Sequence, residues 1–411
     1  MSTAPFPKYR SGDFVPAFIA DSPINPRFEF AAAAGRTVVL AFIGSATRGR
    51  SPAAIQALRS VEAALHRRGI LIYFVTADPA DRASPAIQSE DNRTLPFWDT
   101  DLAIHDLYGM VRRDGAAEDG RAKLHNGCFV IGRNLRLIDF LAFAPFDSFT
   151  QRLAGAIRRI PADPPMAPVG GHAPVLQIPD VFDRGLCRQL IAAYEADGGG
   201  PSGIMRDVNG ITTGFMDNSV KRRRDAEIRD MGLLSRIRDH LHHRVASEIR
   251  KAFAFDASRV ERFIVGCYDA GDRGFFRAHR DNGGPGTAHR RFAVSINLNA
   301  EEFEGGELWF PEYGPHLYKP KTGAAVVFSC SLLHEARPVT SGRRYAFLPF
   351  LFDDAAAKIR RENRALVSTA APVHVGPTHG GPTHGGPIQV EPAMDGPAQA
   401  ASPQELGSSA A

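Results

Sequence analysis

His279, Arg280 and Asp281 stand together in one short run, His334 follows an apolar stretch further along, and Arg344 comes soon after it. Two imidazoles and one carboxylate are the donor set that grips a non-haem Fe(II) on one side and leaves positions open on the other, so these residue types point to oxygen chemistry. Side chains alternate faces along a strand, which sends His279 and Asp281 the same way and Arg280 the opposite way. One strand thus supplies two ligands. The run Ala324 to Ser329 (AAVVFS) reads as a buried strand that can deliver His334 to the same ion from a neighbouring position. Arg344 opens another apolar, aromatic run, RYAFLPFLF, and a planar guanidinium directed into a pocket binds a carboxylate through two parallel hydrogen bonds. A His-x-Asp pair alone is a weak signal; the turn GGEL, the later His and the Pro and Arg that follow it make the set specific.

The segments CYDAGDRGFFRAHRDN, SINLN, GGELWFPE and HEARPVTSGRRYAF resemble the prolyl 4-hydroxylase branch of the Fe(II)/2-oxoglutarate dioxygenases, over about residues 175–353. The resemblance implies a double-stranded β-helix (jelly roll), with Fe(II) held by His279, Asp281 and His334 and with 2-oxoglutarate anchored by Arg344. It also implies that the Tyr268 hydroxyl reaches the cosubstrate. Asn297 stands where relatives often carry a Tyr facing the cosubstrate, and its amide can still donate there. Arg343 takes the place of Arg344 if the strand slips by one residue; the RYA that starts at Arg344 matches the family pattern. The implied reaction couples decarboxylation of 2-oxoglutarate, with O2, to hydroxylation of an unknown second substrate, releasing succinate and CO2, with ascorbate as a reductant. Prolyl hydroxylation of a protein or peptide is the nearest analogy, and similarity of fold does not fix a substrate.

The chain has 411 residues, 44% hydrophobic and 23% charged, an ordinary globular composition with room for two or three domains. A formal charge of +4 is small for this length and gives no reason to expect nucleic acid. The start MSTAPFPKYRSGDF lacks the basic and apolar regions of a signal peptide, and no apolar run reaches membrane-spanning length, so a cytoplasmic protein is expected. Cys128, Cys187, Cys267 and Cys330 are scattered, which suits free buried thiols better than a disulfide framework or a zinc site.

Residues 1–160 alternate strand and helix: RTVVLAFIG, a helix from Pro52 to Arg68, GILIYFVTA, and the strand pair NGCFVIGRNLRLIDFLAF. With LPFWDTDLAIHDLYGM they resemble the peroxiredoxin branch of the thioredoxin fold, an α/β domain. The resemblance implies a reactive Cys at the start of the first helix, where the helix dipole lowers a thiol pKa. Here GSATRGRSPAA puts Arg50 near that place, and Cys128 lies inside a strand. The domain therefore reads as a degenerate module for association, such as a homodimer, or for presenting substrate. Arg48 and Arg50 read as solvated.

Residues 161–174 (PADPPMAPVGGHAP) form a Pro/Gly connector with a solvent-exposed His172. The dioxygenase domain is expected over 175–360, opening with a short strand and a helix capped by Asp183. The resemblance implies that Met205 to Asp225 is a cover over the site; its KRRRD reads as a solvated charge cluster leading into a long helix over Ala226 to Ala254. His289 and His316 read as loop residues facing solvent or substrate. Residues 365–411 are of low complexity, with His374, His379 and His384 recurring in a disordered tail. Two other function classes compete: a thiol peroxidase or redox sensor acting through the first domain, and a non-catalytic sensor of iron or 2-oxoglutarate. The missing Cys weighs against the former and the complete ligand set against the latter.

Overall fold

The computed structural model describes residues 8–88, 92–112, 123–160, 170–375 and 404–405. The chain forms two compact units, residues 1–166 and 167–411. Most of the Pro/Gly connector, as well as His379 and His384, lies outside the described residues. Among the described residues, no helix is long and apolar enough to cross a membrane.

In the first unit, strand Val38–Gly44 is wholly buried and sits at the centre of a five-stranded sheet. Leu71–Thr76 and Thr94–Trp98 continue it in parallel on one side, and Gly127–Ile131 and Leu137–Ala142 antiparallel on the other. Alternate residues of the central strand feed two apolar layers: Val38, Leu40 and Phe42 pack on one face, Val39, Ala41 and Ile43 on the other. Helices Ser51–Arg67 and Phe149–Arg158 cover the second face. The result is the thioredoxin-like α/β arrangement that the alternating pattern calls for. Arg50 is exposed at the start of the first helix, and Cys128 is fully buried in its strand, where burial pushes its thiol pKa well up.

The second unit is built from two sheets. In the larger, Arg224–Glu227, Ile264–Asp269, Val339–Phe347 and Phe292–Asn297 run side by side, Ala325–Ser329 pairs with the last of them, and Leu176–Ile178 pairs with Ala325–Ser329. The smaller orders Lys221–Arg222, Phe275–His279, His334–Ala336, Leu308–Trp309 and Leu317–Tyr318. Strand alternation gives the larger sheet two chemically different faces. Val265, Cys267, Phe292, Val294, Ile296, Tyr345 and Phe347 face helices Arg184–Asp197, Met231–His240 and Ser247–Phe253. Tyr268, Ala293, Val326 and Phe328 turn the other way and pack with Leu308 and Ala336 of the smaller sheet. This is the double-stranded β-helix with flanking helices. Asp183 caps the first of them by accepting from Leu186 N at 2.7 Å.

Two local expectations are corrected here. The helix expected from Ala226 starts only at Met231, because Arg224–Glu227 is taken up as a strand against Ile264–Cys267 and Asp230 then caps the helix at Leu233 N. The chain also stays structured past residue 365: Val367 bridges to Thr212, and Val373–His374 pairs in parallel with Phe215–Met216.

Gly323 ties the opening of the unit to the larger sheet, donating to Asn297 O at 2.8 Å and accepting from Phe182 N at 2.9 Å. Its φ is +81°, and a Cβ there would lie 2.1 Å from the Phe182 carbonyl. Gly323→Ala is therefore expected to destabilise the second unit by about 1–3 kcal/mol or more, read as a lowered urea midpoint. An unchanged midpoint would contradict this packing.

Candidate active site

His279 ends the strand Phe275–His279 and pairs directly with His334, the first residue of the neighbouring strand. Asp281 lies just beyond, its own N–H bonded to Cys330 O at 2.9 Å. The ligand atoms of these three residues all lie within 4.8 Å of one another. His279 Nε2 is 3.4 Å from Asp281 Oδ1, and His334 Nε2 is 3.5 Å from Oδ2. Each ring is aimed by its other nitrogen: His279 Nδ1 meets Arg277 O at 2.8 Å and His334 Nδ1 meets Leu332 O at 3.0 Å. A backbone carbonyl can only accept, so both Nδ1 atoms carry a proton, and Nε2 of each neutral ring is the atom left to face the carboxylate with a lone pair. That is the tautomer a metal requires. Burial pushes the His334 pKa down to about 4, keeping the ring neutral at ordinary pH. Burial also acts to raise Asp281, but the two imidazoles, His334 foremost, hold it below the usual carboxylate range.

A cavity of about 600 Å³ opens from this cluster between the two sheets, and Tyr268, Ser295 and Arg344 line it from the larger one. Arg344 is 2% exposed, with Nη2 donating to Ser295 Oγ at 2.9 Å and Nε donating to Asn297 Oδ1 at 3.1 Å. Its guanidinium lies 5.1 Å from the Tyr268 ring centroid. Arg343, one residue earlier, has a side chain 56% exposed and is bonded to Asp269 at 2.7 Å. Of the two candidate anchors, only Arg344 reaches the cavity. Asn297 is placed differently from the expectation. Its Oδ1 serves Arg344 and its Nδ2 donates to Pro320 O at 2.9 Å, so the amide positions the arginine rather than facing the cavity.

The KRRRD run is not a solvated cluster. Lys221 and Arg223 are buried, and Arg223 makes a two-pronged pair with Asp225 at 2.6 and 2.7 Å while its Nη1 donates to the Tyr268 hydroxyl at 3.2 Å. His289 is likewise buried rather than facing solvent, its Nε2 2.7 Å from Glu261, which also pairs with Arg290. His316 and His172 are exposed, as their loop settings suggested. Ser295, Arg262 and Arg290 also line the cavity and escaped sequence reasoning. Over its mouth lies a hairpin, Ile204–Val208 with Ile211–Met216, turning at Asn209 and Gly210, which both adopt positive φ (53° and 81°). Met205 of this hairpin lines the cavity.

Residues 263–352 match the family model of the 2OG-Fe(II) oxygenase superfamily. The second unit carries a 2OG-Fe(II) oxygenase domain. The matched segment contains His279, Asp281, His334 and Arg344. A PKHD-type hydroxylase of Azoarcus sp. is 37% identical over 89 residues, which is 20% of this chain and 39% of that protein, so the chain spans about two fifths of that curated relative. Among solved structures, a Pseudomonas putida prolyl-4-hydroxylase aligns at 17% identity with TM-score 0.34, covering 43% of this chain and 91% of its own. The peroxidoxin BcpB of Mycobacterium tuberculosis aligns at 16% identity with TM-score 0.32, covering 37% of this chain and 99% of its own.

The Arg223–Asp225 pair beneath the oxygenase site predicts an acid dependence. Burial raises the Asp225 pKa, but Arg223 and then Lys221 outweigh it and bring the value from 3.8 to about 2. A depressed folded pKa means the contribution is fully present above the unfolded value and is lost as pH falls through the folded one. It should be on the order of 2 kcal/mol at neutral pH and fade between about pH 5 and 2. Asp225→Asn should cost roughly 3–5 kcal/mol at neutral pH by stranding Arg223, and should flatten that part of the acid limb. Urea unfolding across this range checks both, and an unchanged acid slope in the variant would refute the assignment.

Proposed function

We propose that the second unit is a non-haem Fe(II)- and 2-oxoglutarate-dependent dioxygenase that hydroxylates a second substrate, with His279, Asp281 and His334 as the metal ligands. The observation that carries the reading is the pair of Nε2 atoms converging on one carboxylate, in the same cavity as a desolvated arginine that has no carboxylate partner among the described residues. Two neutral imidazoles and one anionic oxygen suit a divalent first-row ion and leave room for further ligands. Bound Fe(II) would supply the activation of O2 by which decarboxylation of 2-oxoglutarate drives hydroxylation, releasing succinate and CO2.

The remaining roles belong to the chain's own side chains. Arg344 presents its free nitrogen to the carboxylate of 2-oxoglutarate that lies far from the metal, where a buried fork is stronger than in water. Ser295 and Asn297 fix the direction of that fork, and Tyr268, backed by Arg223, offers its hydroxyl to the cosubstrate. The hairpin carrying Met205 excludes water while substrate is held. Ascorbate would serve as an external reductant. The first unit, whose single thiol is buried, would serve association, such as a homodimer, or substrate presentation rather than peroxide chemistry. Four unpaired buried thiols suit a reducing compartment such as the cytoplasm.

Asp281→Ala is expected to lose metal binding and all turnover, since two neutral ligands hold a hard divalent ion poorly; metal content and succinate release check this. Full activity with iron restored would remove the ligand assignment. Arg344→Lys keeps the charge but loses the fork, so KM for 2-oxoglutarate should rise about tenfold or more with metal binding intact, whereas Arg343→Lys should leave KM unchanged. The direct test of function is anaerobic loading with Fe(II) and 2-oxoglutarate, then exposure to oxygen in cell extract, with mass-spectrometric detection of products that gain one oxygen atom. Succinate release with no oxygenated product would favour a sensor over a hydroxylase.

A further inference from the structure

The cavity holds more positive charge than the proposed metal site and cosubstrate use. Several of its arginines are already matched: Arg223 by Asp225, Arg290 by Glu261, Arg206 by Asp217 and Arg280 by Glu312. Arg344 is matched by the cosubstrate carboxylate under the reading above. Two basic side chains remain. Arg262 donates through Nε to Leu348 O at 3.3 Å and lies 4.3 Å from the Phe350 ring centroid, and among the described residues its terminal nitrogens form no hydrogen bond or ion pair. Lys221 donates to Ser202 Oγ at 2.7 Å and Gly203 O at 2.8 Å, and its Nζ lies 4.7 Å from the Phe276 ring centroid, with no carboxylate of the described residues in ion-pair contact.

Nearby carboxylates cannot neutralise Arg262, because Glu261 and Asp225 are each engaged by both prongs of another arginine. Burial, with Arg290 and Arg223 beside it, draws the Arg262 pKa down to about 10, so the group stays charged at neutral pH but at a cost. Arg262 is also close to the chemistry. Arg290 shares the Phe350 ring with it at 4.1 Å and donates through Nη1 to the Asp281 carbonyl at 3.3 Å. Charge counting sharpens the point. A divalent ion, Asp281, Arg344 and doubly charged 2-oxoglutarate sum to zero, which leaves Arg262 as an uncompensated charge in a low-dielectric space, beside a Lys221 amine whose pKa burial and Arg223 draw well down.

We propose that Arg262, supported by Lys221, is a subsite for a carboxylate on the primary substrate, so that the enzyme acts on an acidic molecule rather than on a neutral stretch of peptide. This rests on the reading of the cavity as a metal and 2-oxoglutarate site. The carboxylate can come from a chain terminus or from an acidic side chain, and both present the same planar anion to a guanidinium.

The test uses the full chain loaded with Mn(II) and 2-oxoglutarate under anaerobic conditions and titrated calorimetrically with two pairs of probes. Acetyl-Ala-Pro as free acid against its amide reports a terminal carboxylate, and acetyl-Pro-Glu amide against acetyl-Pro-Gln amide reports a side-chain one. In at least one pair the acid should bind about tenfold tighter or more, a difference of about 1.4 kcal/mol. Arg262→Met should bring that pair to within about twofold while leaving Mn(II) and 2-oxoglutarate affinity unchanged, with Arg262→Gln as the second variant if the first does not fold. Acid and neutral probes binding alike in both pairs, or not binding at all, would overturn the proposal, as would a preference that survives both variants. Weakened 2-oxoglutarate binding in Arg262→Met would move this residue to the cosubstrate and also overturn it. Failure of the unaltered chain to bind Mn(II) or 2-oxoglutarate would instead show that the underlying reading is at fault.

Discussion

In an extended strand neighbouring side chains leave on opposite faces, and in Val339–Phe347 this separates Arg344 from Arg343 and Tyr345. Tyr345 and Phe347 are committed to the layer under the helices. With those two fixed, Arg344 must enter the space between the sheets, and a slip of one residue would turn two aromatics into that space and replace Arg344 there with Arg343. The same constraint acts on Phe292–Asn297, whose Phe292, Val294 and Ile296 face the helices while Ser295 and Asn297 turn toward Arg344. The apolar layer on one side thus sets the aim of the polar groups on the other. Stability and site geometry are two faces of one sheet.

Much of this was legible because it depends on short-range rules. The run AAVVFS had to be buried, and a His-x-Asp spacing at a strand end had to put both groups on one side. The preference for Arg344 over Arg343 came from the RYA that starts there, which matches the pattern of the family it resembles. What escaped were charges whose role depends on partners distant in sequence. KRRRD looks like a surface cluster until Arg223 and Asp225, two apart on an edge segment, are seen to share one face and to meet Tyr268. Glu261, His289 and Arg290 form a buried network that no local pattern announces. Asn297 was seen as a site residue, but its exact part depended on Pro320 and Arg344 closing around its amide.

Asn209 and Gly210 in VNGI form the dipeptide that most strongly marks a two-residue hairpin turn, since both must adopt positive φ, and the flanking residues do pair as strands. The lack of apolar periodicity there reflects a sheet with neither face fully buried: Met205, Val208 and Ile211 are all exposed. Hydrophobic patterning finds elements that pack against a core. It is blind to elements held mainly by their own backbone bonds.

The parallel strand Val373–His374 gives that hairpin a third member from far down the chain, reinforced by Ser368 N to Thr212 O and Val375 N to Met216 O, each at 2.9 Å. Asn363 adds a bond to Pro285 O at 2.8 Å, on the loop that follows Asp281. The segment after residue 362 is therefore a clamp that borders the hairpin strand Ile211–Met216, and its docking adds to the protection from exchange that the hairpin's own bonds provide. Local opening over the cavity becomes one cooperative event that includes the peeling of residues 363–375, so truncation before residue 363 would loosen the cavity roof without touching a single residue that lines it.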